Sequence, residues 1–196
     1  MTIVINGSGT VTGISVGGLP DGIVDTDMIA AGAVTAAKRG AGAILQVVQG
    51  TSQSHLSSTS TTYVNLTGVT ADITPSSSSN KILIICSLAI GKENNNSFLG
   101  KVLRNGTAIA GGERHSGHSS QEQDVWFNIR TTDYSTNAST AIYLDSPSST
   151  SSLTYAVQCK TTGSGNSFTL NRTRQNNDTA YDSPTFSSII LMEVAG

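Results

Sequence analysis

"FLGKVLRNGTAIAGG", residues 98–112, decides how this chain folds. At its centre, Asn105-Gly106 supplies two residues that accept positive φ, the requirement of a two-residue type I′ hairpin turn. With that turn in place, Val102 falls opposite Ile109. Working outward, "AILQVVQG" (43–50), "TTYVNLTGVTADI" (61–73) and "KILIICSLAI" (81–90) read as strands on the N-terminal side. The Pro75-to-Asn80 loop separates the last two. On the other side "DVWFNIRT", "TAIYLD", "LTYAVQCKT", "SFTLNRT" and "SSIILMEVAG" continue the series to residue 196. Many strands spaced by turn clusters, with no long helical pattern, predict an all-β head: an antiparallel β-sandwich or jelly roll.

Composition agrees and excludes other classes. The chain has 196 residues and 20.2 kDa, enough for one ordinary domain plus an appendage. Its formal net charge is −2 with 12% charged residues, so no basic patch neutralises phosphates and no nucleic-acid partner is expected. It is rich in Ser, Thr and Asn with 5% aromatic residues, which suits strands with hydroxyl-bearing outer faces rather than a helical bundle. No run is long and apolar enough for membrane insertion, and "MTIVINGSGTV" lacks the pattern of a secretory signal. Cys86 and Cys159 lie in apolar strand-like runs and read as buried free thiols, with a disulfide as the alternative.

Before residue 44 the pattern differs. Residues 2–16 alternate weakly between apolar positions and glycines, and "GGLPDG" (17–22) is a turn. Two look-alike decapeptides follow, Gly22 to Ala31 and Gly32 to Ala41, sharing Gly-x-Val and a closing Ala. Each has a capping candidate, Asp25 or Thr35, and room for a one-turn helix that is marginal on its own. The domain reading is therefore an extended stalk over 1–43 and the β head over 44–196.

Several motifs have plainer readings than the chemistry they suggest. "GISVG" matches the nucleophile elbow of hydrolases, but Gly-Gly-Leu-Pro-Asp-Gly follows Ser15 and cannot open the helix that motif needs. "GSGTVTG" lacks the helix of a phosphate-binding loop. His115 and His118 in "HSGH" could share a metal, yet no cysteine or carboxylate pair stands at ligand spacing, so a surface loop is expected. Trp126 alternates with Val125 and Phe127, which favours core packing over a sugar platform. The expectation is a non-enzyme without cofactor or metal.

"DGIVDTDMIAAGAVTAAKRGAGAILQVVQG", "ITPSSSSNKILI", "LRNGTAIAGG" and "SSIILMEVAG", in that order, resemble bacteriophage tail-fibre and related virion-fibre proteins. The resemblance implies a homotrimer with a thin N-terminal stalk attached to other virion proteins of the tail or baseplate. It implies a location in the virion after assembly in the host cytoplasm, and a head that binds a host cell-surface glycan or protein. Val24, Met28, Ile29 and Val34 then form the trimer stalk, hidden against two further copies. A capsid decoration or head fibre, and a sugar-binding module with or without esterase activity, are the competing readings.

If successive head strands simply alternate in direction, connections 50–60, 91–97, 112–123, 145–152 and 173–186 gather at the end away from the stalk. The connections 75–80, 105–106, 132–139 and 161–166 gather near it. Thr67-Gly68 is a place where the alternation could fail. Loops on a rigid scaffold are where binding resides. His115, His118, Arg174 and Tyr181 are accordingly the receptor-binding candidates.

Overall fold

The Asn105-Gly106 turn forms as its sequence dictates, with φ of 49° and 82°. Leu103 pairs with Ala108, and the Ile109 N–H donates to the Val102 carbonyl at 3.1 Å, the register expected from a two-residue turn. In the computed structural model the described residues are 29, 33, 34, 38–92, 97–130 and 135–196. The chain divides into two compact units, Met1–Arg39 and Gly40–Gly196. Within the first, Ile29 and Val34 are 44% and 48% exposed. Val24, Met28, the one-turn helices and the "GISVG" and "GSGTVTG" stretches lie outside the described residues.

The second unit is all-β. Its strands are β1 (Ile44–Ser52), β2 (Leu56–Ser58), β3 (Val64–Ile73), β4 (Lys81–Lys92), β5 (Phe98–Arg104), β6 (Thr107–Ala108), β7 (Phe127–Ile129), β8 (Thr136–Asp145), β9 (Leu153–Thr161), β10 (Phe168–Leu170) and β11 (Ser187–Val194). Every pairing between them is antiparallel. One sheet runs β1-β11-β4-β8, with β10 and β2 extending it beside the end of β4; we call it sheet A. The other, sheet B, runs β3-β9-β5, with β6 and β7 on the outer edge of β5. The long strands thus cross between sheets in the order of a jelly roll.

The core lies between the sheets. Ile82, Ile84, Cys86, Leu88 and Ile90, alternate residues of β4, point inward with no exposed surface, as do Ile189 and Leu191 of β11. Sheet B answers with Phe98, Val102, Tyr155, Val157 and Cys159. Each such side chain contributes about 1.5–3 kcal/mol by leaving water. Cys86 and Cys159 are free thiols buried in this layer. Gly50 is needed where β1 meets β3, since a Cβ there would lie 1.8 Å from the Thr70 carbonyl oxygen.

Strand direction departs from simple alternation twice. β6 and β7 lie in line on one edge of β5, both antiparallel to it, so the chain between them does not reverse. β10 and β11 do the same on one edge of β4. Taking the end where β1 begins as the near end, β8 finishes and β9 starts there, so residues 146–152 belong to the near end. β7 finishes, β8 starts and β9 finishes at the far end, so the 132–139 and 161–166 connections also differ from the parity count. The second break cancels the first, and residues 171–186 stay far, where β11 starts opposite Ser52. At Thr67-Gly68 β3 runs through; only its register with β9 slips, between Asn65 and Thr70.

At the near end the two sheets are joined by charge. Arg104 on β5 donates to both carboxylate oxygens of Asp145 on β8, at 2.9 and 2.7 Å. The buried Tyr155 hydroxyl donates to the same carboxylate at 2.6 Å. Burial and that hydrogen bond push the Tyr155 hydroxyl well above its ordinary pKa. Burial opposes the charge on Arg104, but Asp145 more than compensates and holds it above its usual value.

Replacing Asp145 by Ala leaves Arg104 unpaired and the Tyr155 hydroxyl buried without an acceptor. The expected loss is about 3–4 kcal/mol, with Tyr155→Phe costing roughly 1–2 kcal/mol. Urea unfolding followed by Trp126 fluorescence measures both; equal midpoints for Asp145→Ala and wild type would rule this junction out as a main tie.

Candidate functional site

The far end is built around residues 171–186. Asn171 anchors this loop from a left-handed conformation, φ 63°. Its side-chain amide donates to the Ser52 and Ser54 carbonyls at 2.8 and 2.9 Å, and its Oδ1 accepts from Ser187 at 2.7 Å. The Ser187 hydroxyl in turn accepts the Ala89 N–H at 2.9 Å, so loop, β1, β4 and β11 are stitched together.

Within the loop Asp182 acts as the hub. It sits in a 3-10 turn, Ala180–Asp182, and accepts from Thr173 Oγ1 at 2.5 Å, Asn177 N–H at 2.9 Å and Thr179 Oγ1 at 3.3 Å. The hydrogen bond from Thr173, helped by those from Asn177 and Thr179, holds its carboxyl below the ordinary carboxylate value. Between this loop and His55 opens a cavity of about 460 Å³, lined by polar groups including Arg172, Asn176, Asn177 and Asp178. Arg174 and Tyr181 belong to the same loop.

Residues 112–123 lie elsewhere. After β6 the chain leaves sheet B, and an isolated bridge between Gly112 and Val125 closes the base of an excursion. Its tip is a compact turn: His118 N–H donates to the His115 carbonyl at 3.1 Å, Arg114 Nε to the Gln121 carbonyl at 2.8 Å, and His115 N–H to Gln121 Oε1 at 3.1 Å. The His115 and His118 rings meet edge to face with centroids 5.1 Å apart, both exposed. Among the described residues no group of three or more His, Cys, Asp or Glu side chains could hold a metal ion.

The excursion folds back over the outer face of sheet B, where Glu122 pairs with Lys160 of β9. A second cavity of about 410 Å³ opens beneath it, lined by Ser97, Gln121, Asn128, Lys160 and Thr162 among others. Beside it the Tyr63 ring carries the Lys101 ammonium 4.0 Å and the Lys160 ammonium 5.1 Å from its centroid. Burial, then the charges of Glu122 and Asp124, push the Tyr63 hydroxyl up to about 12. Trp126 packs against the core and donates from Nε1 to the Ile109 carbonyl at 2.6 Å.

The structure therefore brings His115 to His118, and places Arg174 and Tyr181 in one loop, but the two loops line separate cavities. Sequence reasoning missed Tyr63, Lys101, Lys160 and Glu122. The β5–β9 register, with Lys101 opposite Gln158 and Leu99 opposite Lys160, puts the two lysines on one face, and Tyr63 and Glu122 meet them there through the ring contacts and the ion pair.

No family model matches the chain, and no curated protein matches it. Among solved structures it is similar to "Structure of infectious bursal disease virus Gx strain", with TM-score 0.40 and 12% identity over 77% of this chain. It is also similar to "The 2.6A structure of Infectious Bursal Virus Derived T=1 Particles", with TM-score 0.41 and 13% identity over 76% of it. The overlap spans 36% of the length of each of those chains. Similarity at that level is no guide to function.

Acidification tests the Asp182 hub. Because its folded-state pKa lies below the ordinary 3.8, the carboxylate supports the loop above that pH and loses this role as pH falls through the lowered value. The protection of the Asn177 amide against exchange, relative to an unstructured amide at the same pH, is expected to fall only below about pH 4, and to be low at neutral pH in Asp182→Ala. Exchange independent of both changes would remove Asp182 as the organiser.

Proposed function

We propose that the chain is a non-enzymatic structural protein of a virion: a trimeric bacteriophage tail fibre. Its 1–43 segment joins three copies and attaches to tail or baseplate proteins. Its jelly-roll head meets a host cell-surface glycan or protein. The observation that supports this most is the exposure of Ile29 and Val34 in the decapeptide repeat, 44% and 48% in the single chain. Exposed apolar groups on such a segment lose their contact with water when two further copies lie alongside. The order of motifs shared with virion-fibre proteins points the same way.

For the head, the support is architectural. A sandwich with a continuous core holds loops 53–63 and 171–186 at one end, and rigidly presented loops are suited to recognition. The polar linings of both cavities, with Asn128, Gln121 and Lys160 in one and His55, Asn176 and Asn177 in the other, favour a glycan as the ligand. A fibre on the capsid surface would use the same trimer and head, and labelling the protein on assembled particles assigns its place.

Light scattering in solution is expected to give three times the 20.2 kDa of one chain. A monomer at micromolar concentration would end the fibre reading. Val24→Asp with Ile29→Asp should open the N-terminal region to protease while the head stays folded, because unpaired charges on a shared axis cost several kcal/mol. Retained protease resistance would mean that these residues face no such axis.

Receptor use is tested on particles. Substituting Ala for His115, His118, Arg174 and Tyr181 should lower adsorption to host cells without impairing assembly. Unchanged adsorption moves recognition to other residues.

A further inference from the structure

The outer face of sheet A is apolar across four strands. Antiparallel partners share a face, so the register lines residues up in rows. One row is Val47, Met192, Leu83 and Leu144; the next is Gln49, Ile190, Ile85 and Ile142. Ile44 and Val194 extend the field toward the near end. The third row is hydroxyl-bearing, Thr51, Ser188, Ser87 and Thr140, and Lys81 is the charge at the margin. In the single chain Ile142 is 65%, Val47 56%, Ile44 44% and Leu144 43% exposed. An apolar centre with a polar rim is the anatomy of a protein interface.

We infer that this face is where the heads of the trimer meet, each sheet A turned toward a shared threefold axis so that three faces wall a common apolar core. The inference rests on the trimer of the proposed function and names the surface that trimer uses. Two features select further copies of this chain over a foreign partner. The field carries no charge inside its margin, so no partner of complementary charge is specified.

Its size also fits. Strands about 4.8 Å apart and two-residue steps of about 6.8 Å give an apolar field of roughly 350 Å². That is under half of the roughly 800 Å² per partner of free-standing complexes. Copies already joined through a stalk meet at millimolar effective concentration, where so small a face suffices. β8, with Ile142 and Leu144, is an edge strand of the sheet, as is β1 with Val47.

Thiol labelling of the full chain tests this. Cys86 and Cys159 have no exposed surface and remain silent to a water-soluble maleimide, so one introduced cysteine reports alone. Ile142→Cys and Val47→Cys, both at exposed positions that the fold tolerates, are compared with Thr107→Cys on β6, exposed on sheet B. In the trimer the two sheet A thiols are expected to react at least tenfold more slowly than the Thr107→Cys thiol. If the chain is trimeric by light scattering and all three thiols react alike, sheet A faces solvent and the inference falls while the fibre reading stands. If the chain is monomeric, both fall.

Discussion

Sheet A is registered on the backbone of β4. A strand buried between neighbours has two rows of amide and carbonyl groups, and both must find partners. β4 satisfies one row with β8 along residues 82–91, and the other with β11 and then β10. Because β4 is a single strand, these partners cannot shift independently. A one-residue slip of β11 would turn Ile189 and Leu191 to the outside and bring Ile190 and Met192 into the core. The alternation of fully buried Ile82, Ile84, Cys86 and Leu88 with half-buried Leu83, Ile85 and Ser87 fixes which face is which.

The polar groups drawn into the two ends follow from that registration. Once β11 is set beside β4, Glu193 falls on the inner side at the near end, 1% exposed. Burial alone would raise its pKa, but Asn80, Gln46 and Ser76 all donate to it and bring it below the usual carboxylate value. The charge therefore organises the 74–80 connection. Asn171 plays the corresponding part at the far end, where β10 stops and the chain must return to begin β11. Both solve one problem: a connection crossing the end of the sandwich carries backbone groups that water does not reach.

How much of this the sequence discloses depends on the range of each interaction. The Asn105-Gly106 hairpin was legible to the register because a two-residue turn is a local object. The all-β class was legible because Ser-rich and Gly-rich turns punctuate apolar runs. Strand direction was not, because a run such as Thr107–Ala108 looks like any other strand until its place on β5 is known. Two short strands in line on one neighbour consume a reversal without leaving a local mark. The candidate site divides likewise. The loop character of "HSGH" was readable, whereas the meeting of Tyr63, Lys101, Lys160 and Glu122 depends on pairings between distant segments. Val24 and Met28 lie outside the described residues, and for Arg174 and Tyr181 the sequence could supply only the loop.

The pairing of β1 with β11 has a mechanical meaning. Tension between Gly42, just before β1, and the 171–186 loop, just before β11, pulls these two antiparallel strands lengthwise in opposite directions. Their hydrogen bonds run across the strands, from Gln46 opposite Glu193 to Ser52 opposite Ser187. A lengthwise pull therefore loads the whole ladder together, in shear, instead of peeling it from one end. The β1–β11 ladder thus resists as a unit along the line from Gly42 to the 171–186 loop.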